Sequence, residues 1–346
     1  MGFVRSLLLI AMLWPTTSLA GKVQWFEGTL EQALNQAQSE KKHLLIVVHS
    51  WGCGPCELFL NEIIEKDEIA AFVNKATVPI KTESGDDHLY FERFKVYGYP
   101  TIILTRPDGE EVSRIPYPER IFLPMLRKEI AEGKTIPELQ REISNNPDNV
   151  ELKVSVYKKY LERFSTLAAR VALNSIDALH REYFEANKAT LLYLLGESLA
   201  RSDQYDEAIE EFQKVLTFEN VDPNIVHAVY YQLAFCYFYQ HKYDETFAVL
   251  NTGIDKFPES ITLHSLYVRF AVRVNKYLDQ AVVYGLKLID LMTVNEEKAW
   301  ANYLVSTVYY AKEDKANALK YIDEALVLAP GDQDYLEFKK QIEQMP

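Results

Sequence analysis

The chain has 346 residues, 48% hydrophobic and 25% charged, which is the balance of a globular protein and not of a disordered one. That length predicts two domains, and only 3 cysteines mean that hydrophobic cores, not disulfides, must hold them. A formal charge of −13 with no long basic run argues against non-specific nucleic-acid binding. Tyrosine is unusually common, at 22 against 17 Phe.

Residues 1–20 read as an export signal. Arg5 supplies the positive start, Leu7 to Trp14 a short apolar core, and Ser18-Leu19-Ala20 a small-residue cleavage site. The apolar run is too short to span a bilayer comfortably, and no later run of 18 or more apolar residues follows. Cleavage after Ala20 predicts a mature chain starting at Gly21, without a lipid-modified cysteine and without a membrane span. It would work in a compartment where disulfides form, of which the periplasm fits best.

From 21 to 133 strands and helices alternate. Val23 to Phe26 is a short strand candidate. Thr29 can cap a helix through Glu40, with Leu30, Ala33, Leu34 and Ala37 on one face. His43 to His49 contains five consecutive apolar residues, the mark of a central buried strand. A helix is predicted from Gly54 to about Asn74. Strands follow at Ala76 to Thr82 and Thr101 to Arg106, and Pro107-Asp108-Gly109 turns into a strand at Glu111 to Ile115. Pro118 to Ala131 closes an α/β unit of ordinary domain size. The polar segment 134–149, ending in Ser144-Asn145-Asn146-Pro147-Asp148-Asn149, reads as a linker.

From 150 to 346 apolar residues fall at helical spacing and recur. Leu192, Leu195, Gly196 and Leu199 precede Ala208, Phe212 and Val215; Tyr230, Leu233, Ala234 and Tyr237 precede Thr246, Leu250 and Pro258. Asn302, Val305, Ser306 and Tyr309 precede Ala318, Ile322, Ala325 and Pro330. The pattern resembles the tetratricopeptide helix–turn–helix repeat. Ala208, Thr246, Ala281 and Ala318 lie 38, 35 and 37 residues apart, so the loops are stretched. A weak copy surrounds Ala169, the copy at Ala281 is degenerate, and Asp332 to Met345 reads as a capping helix. Four or five helical pairs are expected.

Trp51-Gly52-Cys53-Gly54-Pro55-Cys56 joins the buried strand to the next helix. A thiol at a helix start is stabilised as thiolate by the free amides and the dipole. A second, three residues on, can resolve a mixed disulfide. Cys53 is assigned as the attacking thiol and Cys56 as the resolving one, with Gly54 and Pro55 permitting the turn. The motif resembles the thioredoxin family over about Lys22 to Ile130, together with Gly98-Tyr99-Pro100-Thr101 before a strand. The resemblance implies a cis Pro100 beside the cysteines, substrate contacts at Trp51, Tyr99 and Pro100, and a dithiol that leans towards reduction. The pair itself would be the redox centre, so no nicotinamide, flavin or metal cofactor is expected.

Three departures from the family pattern stand out. Val47 occupies the strand position where an acidic residue is common; Gly52 separates Trp51 from Cys53; and Glu57 replaces a basic residue after the second cysteine. The last two argue against recognition by a cytosolic-type reductase. Two other readings of the cysteines are open: a metal site with His49, for which a fourth ligand is lacking, and a purely structural disulfide closing a small loop. Cys236 reads as a small buried hydrophobe, or else as a second redox thiol or intermolecular bridge.

By analogy with tetratricopeptide stacks, Tyr193, Tyr231, Phe235, Phe238, Phe270, Trp300, Tyr303 and Tyr310 are expected on or near a concave groove. Such a groove suits an extended peptide or a docked domain, including this chain's own α/β domain. The expected whole is an exported thiol–disulfide oxidoreductase with a protein substrate, a redox partner protein and repeats that recruit or orient a partner. The alternative is a redox-inactive interaction scaffold of the envelope.

Overall fold

A computed structural model describes residues 22–84 and 93–346, so the expected export signal and the expected cleavage point after Ala20 lie outside the described residues. The described chain divides into two compact units, up to Arg163 and from Phe164.

In the first unit, α1 (Leu30–Glu40) starts at a capping box: the Thr29 hydroxyl accepts from the Gln32 amide, and the Gln32 side chain accepts from the Thr29 amide. It leads into β1 (His43–His49), whose five central residues are buried. The helix expected from Gly54 to Asn74 is two. After α2 (Gly54–Leu58) the chain widens into a π-helical turn over Phe59–Ile63, where the Ile64 amide bonds Phe59 O. Lys66 is then extended (φ −61°, ψ 134°), and α3 (Asp67–Ala76) starts afresh with Asp67 and Glu68 in its first turn. β2 (Thr77–Glu83), β3 (Thr101–Thr105) and β4 (Glu111–Arg114) complete a mixed sheet in the order β2-β1-β3-β4. β2 is parallel to β1, β3 antiparallel to β1 and β4 antiparallel to β3. The β3–β4 turn has Gly109 at φ +85° and its amide on Arg106 O.

The strand expected at Val23–Phe26 does not form. Its amides go mainly to side chains, Val23 to Glu65 and Gln24 to Asn74, and only the Phe26 amide reaches backbone, at Pro79 O. Pro79 has no N–H to return, so a ladder cannot propagate along that edge of β2.

Leu45, Val47 and Ile102 pack with Phe59, Ile63 and Phe122 on one face of the sheet, whereas Leu44, Ile46, Val48 and Ile103 pack on Leu30, Ala33 and Ala37 of α1. α4 (Glu119–Glu132) closes the first face. The expected linker is instead largely helical: α5 (Ile136–Asn145) has a Thr135–Glu138 capping box, and Glu138 pairs with Arg106 at 3.1 Å. α6 (Val150–Glu162), expected to open the repeats, belongs to this first unit. Its Lys159 donates to Val112 O at 2.6 Å, and Arg163 pairs with the buried Glu111 at 3.2 Å, covering the free edge of β4.

The second unit is all helix. After α7 (Thr166–Leu179) come the hairpins α8 (Arg181–Arg201) with α9 (Tyr205–Leu216), α10 (Pro223–Tyr239) with α11 (Tyr243–Lys256), α12 (Ile261–Val274) with α13 (Leu278–Leu291), and α14 (Asn295–Ala311) with α15 (Lys315–Leu328). α16 (Gln333–Glu343), capped by Asp332, packs on α15. Ala169, Ala208, Ala281 and Ala318 are fully buried at the helix contacts. Ala169 lies on α7, whose preceding helix α6 is in the first unit. Each hairpin turn carries a left-handed residue, at Asp203, His241, Asn275 and Glu313.

Gly196 lets α8 approach α9: a Cβ there would lie 2.7 Å from the fully buried Phe212 ring. Gly196→Val gains roughly 0.5 kcal/mol in helix propensity and loses about 1–3 kcal/mol to overpacking. The variant is therefore expected to melt several degrees below wild type by circular dichroism. An unchanged or higher Tm would refute the close-packing account.

Candidate functional site: the Cys53–Cys56 pair at the end of the central strand

Beyond His49 the strand runs into a four-residue turn. The Cys53 amide donates to Ser50 O at 3.3 Å and Gly52 has φ +68°, while Trp51 keeps a negative φ; this is a type II turn with Gly52 at the position that demands glycine. The extra glycine between Trp51 and Cys53 thus has a structural purpose: the indole stands at the tip of the turn, 90% exposed.

Cys53 is the N-cap of α2, with Pro55 in the first turn, where its missing N–H is harmless. The Cys56 amide donates to Cys53 Sγ at 3.2 Å and to Cys53 O at 2.9 Å, and the Glu57 amide donates to Cys53 O at 3.0 Å. The two sulfurs are bonded, with Cα atoms 5.2 Å apart. Cys53 is half-buried and Cys56 only 1% exposed. Gly54 and Pro55, between them, are exposed.

β3 brings in the second segment. Val48 faces Thr101, so Pro100 and Tyr99 follow beside the end of β1. The Tyr99–Pro100 peptide is cis, and Thr101 Oγ1 donates to Gly98 O at 2.6 Å. Trp51, Cys53, Gly54, Pro55, Cys56, Tyr99 and Pro100 therefore gather at one end of the sheet. Tyr99 is 37% exposed there, and Leu58 and Tyr97, near in sequence to the two segments, are 44% and 51% exposed. Val47 is fully buried in the apolar face that holds Phe59 and Ile63, while Glu57 is exposed. His49 is half-buried at the strand end. Among the described residues, no three His, Cys, Asp or Glu side chains are grouped so as to hold a metal ion.

The sequence reading overlooked Ser50 and Ser84. Ser84, just past β2, donates its amide to His49 O at 2.7 Å and its hydroxyl to Ser50 Oγ at 3.0 Å. No local signal marks either serine, since the pairing depends on the β1–β2 register.

In the second unit the eight aromatic candidates separate. Phe238 and Phe270 are core, 5% and 6% exposed, with rings stacked at 3.8 Å, so they are not groove residues. Two consecutive hairpins meet there, and the stack takes one face of each ring. Tyr193, Tyr231, Phe235, Trp300 and Tyr303 are half-buried, and Tyr310 is 37% exposed. Tyr239 was missed: it is 49% exposed and stacks on Tyr205 and Phe235 at 6.0 and 6.1 Å. Tyr231, Phe235 and Tyr239 recur every four residues of α10, a stripe legible in the sequence.

Residues 30–129 match the thioredoxin-like domain family and residues 189–221 the tetratricopeptide repeat. The chain carries a thioredoxin-like domain and tetratricopeptide repeats. Among solved structures, YrrB, titled a TPR protein with an unusual peptide-binding site, is similar at 18% identity and a TM-score of 0.43, over 58% of this chain and 97% of that one. DsbH oxidoreductase is similar at 15% identity and a TM-score of 0.29, over 35% of this chain and 93% of that one. No curated protein matches the chain.

Cys236 is free and fully buried in α10, and burial pushes its thiol up to about 12. With Cys53 and Cys56 bonded, the native protein should take up no maleimide at neutral pH and one per chain after unfolding without reductant. Fast labelling of the native protein at Cys236 would overturn this burial. Because its folded value is raised, the neutral thiol's contribution is complete below about pH 9 and is lost as pH rises towards about 12. Cys236→Ala should therefore lose less stability than wild type between those limits, read as the difference in Tm.

Proposed function

We propose that the chain is a thiol–disulfide oxidoreductase of protein substrates, exported to the periplasm, whose repeats recruit a protein partner. The observation that carries the proposal is the half-exposed Cys53 at a helix start, bonded to a buried Cys56 and flanked by Tyr99 and cis-Pro100. Residues 1–20 support export, and the disulfide suits an oxidising compartment. The exposed Trp51 and Tyr99, on the two segments that meet at the end of β1, favour a polypeptide over a small thiol as the substrate.

In the reducing direction a partner dithiol first opens the Cys53–Cys56 bond. The Cys53 thiolate then attacks a substrate disulfide, expelling one substrate sulfur as thiolate and forming a mixed disulfide. Cys56 attacks Cys53 Sγ, releases the second substrate thiolate and restores the internal bond. Two electrons pass from the pair to the substrate; the reverse sequence donates a disulfide. The amide of Cys56, aimed at Cys53 Sγ, stabilises the attacking thiolate. The pair is itself the redox centre, and the proposal invokes no cofactor.

Insulin reduction driven by dithiothreitol tests the chemistry. Cys53→Ser is expected to fall to background, Cys56→Ser to accumulate mixed disulfide, and Trp51→Ala to raise KM about tenfold with a protein substrate. Equal rates for wild type and Cys53→Ser would end the enzyme reading. For the repeats, Tyr231→Ala with Tyr239→Ala in the full chain should abolish partner crosslinking while leaving exchange with a short peptide unchanged. Retained crosslinking would count against the aromatic stripe.

A further inference from the structure

The hydroxyl pair Ser84–Ser50 ties the type II turn before Cys53 to the residue that follows β2. The turn's hydrogen bonds form a continuous series. Ser84 N reaches His49 O at 2.7 Å, Ser84 Oγ reaches Ser50 Oγ at 3.0 Å, Ser50 O accepts from the Cys53 amide at 3.3 Å, and Cys53 Sγ accepts from the Cys56 amide at 3.2 Å. Both serines are half-buried, so water competes only partly for their hydroxyls. Ser50 is also the first residue of the turn whose third carries the obligatory positive φ. A shift of Ser50 is therefore transmitted to Cys53 through a rigid unit.

We propose that Ser84 is a positioning residue of the redox pair, clasping Ser50 so that the Cys53 sulfur stays on the Cys56 amide when the disulfide opens. The inference rests on the pair being redox-active and adds a residue outside the motif. Neither serine is placed in contact with substrate.

The equilibrium read is the transfer of two electrons and two protons from two glutathione thiols to the Cys53–Cys56 disulfide, giving the dithiol and one glutathione disulfide. Losing the clasp weakens the amide's hold on the thiolate, which destabilises the reduced form. Ser84→Ala should therefore shift that equilibrium about three- to tenfold towards the protein disulfide. In protein reduced by dithiothreitol, the Cys53 thiolate absorbance at 240 nm should titrate at higher pH. Ser84→Thr, which keeps the hydroxyl, should restore both. A lower Tm in Ser84→Ala with equilibrium and titration unchanged would overturn the proposal, because a merely structural serine behaves that way. Failure of the wild-type pair to equilibrate with glutathione would instead overturn the redox function, and the thiolate titration would still judge the clasp.

Discussion

The first unit depends on the complete burial of β1. Leu44 to Val48 have no exposed surface, alternate residues serve opposite faces, and both edges are paired, to β2 and to β3. A strand in that position forces helices onto both sides of the sheet, since either face left bare would expose large aliphatic side chains to water. α1 answers one face, and the π-helical turn Phe59–Ile63, α3 and α4 the other. The strand can end only where it reaches solvent, at His49, and the two cysteines follow within seven residues. The site thus lies where a fully satisfied backbone gives way to a turn and a helix start with free amides.

Local chemistry made much of this legible. Thr29 is the expected N-cap, the run at His43–His49 is the central strand, and Asp108-Gly109 turns the β3–β4 hairpin. Two of the failures, at Val23–Phe26 and at Ser50–Ser84, share one cause, that the partners are distant in sequence. Phe59, Ile63 and Ile64 keep an apolar pattern across the end of α2, so periodicity could not show the π-helical turn or the extended Lys66. Val23 to Phe26 looks like a strand until its amides are traced to Glu65 and Asn74. The segment after Gly133 is polar enough to pass for a linker, yet Thr135 and Glu138 carried a capping box that composition alone obscures. Ser50 and Ser84 are invisible for the same reason, because their 34-residue separation is bridged by register and not by motif.

The excess of tyrosine finds its explanation between consecutive hairpins. The Tyr277 hydroxyl donates to Asp244, Tyr284 to Asn251 at 2.9 Å, and Gln213 donates to the Tyr237 hydroxyl at 3.0 Å. Lys312 meets Asp279 at the position equivalent to Tyr277 and Asp244, one hairpin further on. A phenylalanine would fill the same groove between helices but could not make the polar rung at its rim. Tyrosine joins both functions, packing inward and bonding to the preceding hairpin at the rim. Where packing consumes the whole ring, as in the Phe238–Phe270 stack, phenylalanine is used instead.

The same reasoning bears on Val47. A carboxylate there would sit among Phe59, Ile63 and Ile102 in the unit's main core, and desolvation would favour its neutral form. Valine keeps that face uniformly apolar and withholds a buried proton acceptor from the cysteine pair. Control of the thiols then falls to the surface side of the site, where the Ser50–Cys53 turn, its glycine and the amide of Cys56 are adjustable without opening the core. Substitutions in the turn alter a few hydrogen bonds of about 1 kcal/mol each, whereas each in β1 disturbs a fully packed face of the sheet. On the proposed redox function, tuning of the pair is therefore more accessible from the turn and its proposed Ser84 anchor than from the strand beneath it.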